Sequence, residues 1–145
     1  GGTGTITPDL TPDEAQNYLD LTDAYDMERI FLIAPASSDE RIKLVAESSR
    51  GFIYAASLMG VTGERSALSQ QAEELVKRAK ALTSKPVAVG LGISTPENVR
   101  EIAAYADGVI VGSAFVRLVL NSSNVDEAII KIRALAREMK AATLR

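Results

Sequence analysis

The chain has 145 residues, 46% of them apolar and 24% charged, with a formal net charge of −3 at pH 7, a size and composition suited to one domain with a real core. Cysteine and histidine are both absent, which excludes disulfides, thiolate nucleophiles, Cys/His metal sites and any triad built on imidazole, and leaves Asp, Glu, Lys and Tyr as acids and bases. No basic block stands against the acidic balance, so neither nucleic acid nor a membrane surface is an expected partner, and a small molecule or another protein is.

The N-terminal Gly-Gly-Thr-Gly-Thr-Ile-Thr-Pro has no basic or apolar region of a secretion signal, and no uncharged apolar run approaches membrane-spanning length. A cytoplasmic location is the expectation. Thr3 to Thr7 is a β-branched strand, stopped by Pro8-Asp9. Thr11, Pro12 and Glu14 have the spacing of a capping box for a helix that buries Ala15, Tyr18 and Leu19 and ends near Tyr25. A second strand, Ile30 to Ala34, halts at Pro35, and Ser37 with Glu40 forms another box before a helix carrying Ile42, Val45 and Ala46.

Gly51 to Ala56 is a third strand. The long connection Ser57 to Ser69 follows, rich in Gly, Thr and Ser, and loops of that length in compact α/β domains serve as lids or binding segments, so a mobile cover is expected there. Ala72, Leu75, Val76 and Ala79 then recur at helical spacing. Val87 to Val89 is the fourth strand, with Thr95-Pro96 opening a helix faced by Val99, Ile102 and Ala103. Val109 to Val111 is the fifth, followed by a short extra helix from Ser113 to Leu120 and a last long one opened by Asn124 and Glu127. Strict alternation with near-continuous apolar strands means an α/β protein with a parallel sheet covered by helices, here one domain over 1–145.

The last two strands each end in glycine: Val-Gly-Leu-Gly at 89–92 and Val-Gly-Ser at 111–113. Parallel strands bring their C-terminal tips to one rim, so Gly90, Gly92, Gly112 and Ser113 are expected to converge where helix N-termini offer free N–H groups. That combination suits a phosphate. Asp9 also sits at a strand tip, where the plain reading is a turn residue, while Asp107 sits at the opposite, stabilising end of its strand and receives no function. Tyr54, on a strand, is equally a core tyrosine on these grounds alone.

Five segments taken together carry a resemblance: Pro-Asp-Leu-x-Pro-Asp-Glu-Ala at 8–15, Ile-Phe-Leu-Ile-Ala-Pro at 30–35, Gly-Val-Thr-Gly at 60–63, Val-Gly-x-Gly-Ile-Ser at 89–94 and Ala-Asp-Gly-Val-Ile-Val-Gly-Ser-Ala at 106–114. In order and spacing they resemble the C-terminal part of the tryptophan synthase α chain, from the fourth barrel strand to the last helix. The resemblance implies a partial (β/α)8 TIM barrel of about five βα units, strands 4 to 8, with the extra short helix after the last strand that phosphate-binding barrels use.

It further implies a lyase family of tryptophan biosynthesis that cleaves indole-3-glycerol phosphate to indole and glyceraldehyde 3-phosphate by a retro-aldol reaction. That family works against a β chain which holds pyridoxal phosphate, so no cofactor is expected on this chain. Its acid/base carboxylates come from early strands, and no residue here matches them, so no catalytic residue is assigned and inactivity alone is expected. What the resemblance does carry over is substrate binding. Thr62, Gly63, Gly92, Gly112 and Ser113 match positions that hold the phosphate or close over it, Tyr54 matches a tyrosine lining the cavity, and Ile33 and Leu91 match apolar positions near the indole.

Two departures from the family pattern stand out. Ser57, Leu58 and Met59 stand where the family often has Ser-Arg before its Gly-Val-Thr-Gly loop, and Leu91 stands where it often has a phenylalanine between the two glycines, keeping an apolar wall without an aromatic face. A barrel that starts at its fourth strand exposes two sheet edges, so the missing strands are expected from an N-terminal piece, from self-association, or by rearrangement to an open sheet. Another sugar-phosphate barrel enzyme and a non-catalytic half-barrel assembly module are the alternatives.

Overall fold

The structure is a computed structural model that describes residues 1–56, 65–90 and 92–144, with side chains in the helix that begins at Arg65 described from position 70 onward. The elements in chain order are β1 (Gly4–Ile6), a 3₁₀ turn (Pro12–Glu14), α1 (Gln16–Ala24), β2 (Glu28–Ile30), β3 (Leu32–Ile33), α2 (Asp39–Ser48), β4 (Ile53–Ala56), α3 (Arg65–Leu82), β5 (Val87–Gly90), α4 (Pro96–Ala103), β6 (Gly108–Ile110), α5 (Ser113–Leu120) and α6 (Val125–Ala142). Every strand pairing is parallel.

β1 pairs with β2, and β3, β4, β5 and β6 form a second sheet in that order. The two sheets meet in one stretch of chain, because only Phe31 separates β2 from β3. Thr7 N–H donates to the Ile30 carbonyl at 3.3 Å on one side, and Tyr54 N–H donates to the Phe31 carbonyl at 3.2 Å on the other. The result is one parallel layer in the order expected of consecutive barrel strands, a partial (β/α)8 barrel. Each connecting helix returns the chain to the starting end of the next strand. Among the described residues the free edges belong to β1 and β6.

Register divides the layer into two faces. Ile33, Ala55 and Val89 are cross-strand neighbours, joined through Val89 to Val109, and the first three are at most 1% exposed. With Phe31 and Ile53 they pack against Ile42 and Val45 of α2, Leu75 and Val76 of α3, and Val99 and Ile102 of α4. Fully burying each such side chain is worth about 1.5–3 kcal/mol, so this layer-on-helix core holds the strand tips in place. The opposite face carries Leu32, Tyr54, Ala88 and Gly108 in one row, with Ala56, Gly90 and Ile110 in the next.

Helix starts follow the expected chemistry with two corrections. Thr95 Oγ1 accepts from Asn98 N–H at 3.3 Å, and Asn124 Oδ1 accepts from Glu127 N–H at 2.9 Å while Glu127 Oε2 accepts from Ser123 N–H at 2.8 Å. The expected box at Thr11 is absent, since Thr11 makes no side-chain cap. Its carbonyl instead accepts from Glu14 N–H at 3.0 Å in a 3₁₀ turn, and the α-helix starts only at Gln16. At the second site the cap is Ser38, which accepts from Arg41 N–H at 3.2 Å, because Ser37 Oγ is engaged by Ala34 N–H at 3.0 Å in the preceding turn.

At the starting ends of the strands, Arg29 is 8% exposed and knots the layer to its helices. Its Nε donates to the Ser48 carbonyl at 2.7 Å and its Nη1 donates to Thr22 Oγ1 at 3.0 Å and pairs with Asp23. Asp107, expected to be structural, accepts from Val87 N–H at 3.0 Å and pairs with Lys80 at 2.6 Å.

Candidate functional site

The carboxyl tips of β5 and β6 are adjacent, with Gly90 opposite Ile110. Two residues beyond each lie Gly92 and Gly112, both exposed, so the two glycine turns follow adjacent strand ends. Gly92 has φ +71°, a conformation that glycine adopts without steric cost and other residues do not. Gly112 has φ −121° and a Cβ there would meet no atom within 4 Å; its lack of a side chain leaves open space above the start of α5 rather than serving the backbone.

Helix α5 begins at Ser113 with Gly112 as its N-cap and no side-chain cap. By contrast α2, α4 and α6 are each closed by a Ser, Thr or Asn side chain. The first amides of a helix lack intrahelical partners, and at the start of α5 Gly112 and Ser113 are both exposed. The positive end of the helix dipole adds to this.

Tyr54 supplies the wall beneath. It sits between Leu32 and Ala88 by register, and its ring lies across the bare Cα of Gly90, where an added Cβ would come within 2.7 Å of Tyr54 Cζ. Burial raises the phenol above its ordinary range, which keeps it protonated at neutral pH and makes it a hydrogen-bond donor rather than a base.

Of the expected site residues, Tyr54 lies on the face opposite the helix-packed core, and Gly92, Gly112 and Ser113 are exposed just beyond β5 and β6. Ile33 does not join them. It is 1% exposed and in register with Ala55, on the face covered by helices. The apolar position beside Tyr54 is Leu32 instead, which the sequence reading passed over; alternation along the strand, counted from Tyr54 through its partner, is the signal that finds it. Thr62, Gly63, Leu91 and the departure at Leu58 and Met59 lie outside the described residues. The connection expected to run to Ser69 is shorter, for backbone from Arg65 onward is already helical. Asp9 is exposed at the tip of β1. Among the described residues no group of acidic side chains could hold a metal ion, and no helix is long and apolar enough to cross a membrane.

The family model for the tryptophan synthase alpha chain matches residues 1–144. The chain belongs to that family. It is 54% identical over 145 residues to the tryptophan synthase alpha chain of Acidothermus cellulolyticus, covering all of this chain and 54% of that one. It is 52% identical over 141 residues to the alpha chain of Mycobacterium tuberculosis, covering 97% and 50% respectively. Among solved structures, tryptophan synthase from M. tuberculosis superposes with a TM-score of 0.85 at 45% identity, covering 100% of this chain and 51% of that one. The complex from Pyrococcus furiosus gives 0.80 at 28% identity, covering 97% and 55%. The chain therefore spans about half the length of the tryptophan synthase alpha chains it matches, and its parallel layer corresponds to half of their barrel.

Proposed function

We propose that this chain is the phosphate-holding half of a tryptophan synthase alpha barrel, with Gly92, Gly112 and Ser113 receiving the phosphate of indole-3-glycerol phosphate. Support comes from one observation above the others: among the described helix starts, α5 is the one with a glycine N-cap and no side-chain cap, and a Cβ at Gly112 would meet no described atom within 4 Å. Thr62 and Gly63 belong to the segment that closes over that phosphate. Tyr54 and Leu32 form the side of the cavity toward the indole, and Tyr54 orients the substrate by donating a hydrogen bond.

The retro-aldol cleavage needs a base to take a proton from the substrate and an acid to protonate the departing indole carbon. Protonated Tyr54 does not supply the base, and the family's carboxylates belong to the other half of the barrel. The chain's part is therefore to bind the anionic end and fix the scissile bond, while a β chain is the recipient of indole in the assembled enzyme. Titration with glycerol phosphate, followed by amide NMR, tests the reading. Saturable shifts at Gly92, Gly112 and Ser113 support it, and shifts spread over unrelated surface refute it. Indole production by the purified chain would show that the chemistry needs no other half.

A further inference from the structure

We draw no further inference here: the strongest candidate, the acidic cluster of Asp23, Asp26 and Glu28 at the starting end of β2, with Glu28 Oε2 buried and unpartnered among the described residues, carries nothing because Arg29 and Arg50 already engage Asp23 and Asp26 and no second observation in the structure points to a ligand.

Discussion

Tyr54 and Gly90, on neighbouring strands, occupy one shared volume: the phenol ring fills the place where any residue larger than glycine would put its Cβ, with Ile110 Cβ only 3.0 Å from that point on the other side. Gly90→Ala should therefore destabilise the chain by about 1–3 kcal/mol, the cost of overpacking. Shortening the ring should relieve it. In urea denaturation, Gly90→Ala combined with Tyr54→Leu is expected to cost less than the sum of the two single changes, by 0.5 kcal/mol or more as a rough threshold for coupled neighbours.

Gly112 and Gly92 should separate binding from folding in opposite ways. Nothing lies within 4 Å of a Cβ at Gly112, so Gly112→Ala should leave stability within about 0.5 kcal/mol of wild type while weakening glycerol phosphate at least tenfold. At Gly92, φ +71° makes Gly92→Ala cost about 1–2 kcal/mol in the fold itself. Thermal unfolding with and without ligand resolves the two.

Removing Arg29 should be the most damaging single charge change at the base of the layer. Arg29→Ala takes the donor from the Ser48 carbonyl and one of the partners of Thr22 Oγ1, and leaves Asp23 without its nearest cation, for a loss of about 1–3 kcal/mol. Arg29→Lys should recover little, since one ammonium cannot reproduce donation from Nε to Ser48 and from Nη1 to Thr22 together. Urea midpoints of the three proteins decide this.

Acid should loosen the start of α6 in a defined window. Hydrogen bonding from Lys131, and then from Ser123, lowers the Glu127 carboxyl from 4.5 to about 2. The folded value lies below the unfolded one, so the stabilisation is fully present above about 4.5 and is lost as pH falls toward 2. Glu127→Gln should flatten the pH dependence of unfolding across that window and leave the profile above it parallel to wild type.

Much of this was legible beforehand because the strands are short apolar runs punctuated by glycine and proline, and the helices carry period-3.6 faces such as Ala72, Leu75, Val76 and Ala79, all at most 1% exposed. The glycine turns pointed to the rim by the same logic. What escaped was decided between elements rather than within them. Ile33 and Leu32 are equally apolar, and only pairing with Ala55 and Tyr54 reveals which one faces the helices. Ser37 and Ser38 are chemically the same residue, and the tight turn after Ala34 claims the first, leaving the second to cap α2. At Thr11 the spacing was right, but the 3₁₀ turn from Pro12 to Glu14 intervened before α-helix could begin.

The bare start of α5 makes any anion it holds a structural part of the helix. An oxyanion bonded to the amides of Ser113 and Ala114 would satisfy free donors at the start of α5, as Thr95 does for α4 and Asn124 for α6 through their own side chains, and would hold that helix end more firmly. Hydrogen exchange of those two amides should slow on ligand addition while the ends of α4 and α6 exchange as before. On the proposed reading, a bound phosphate would take the place of the side-chain cap that α5 lacks.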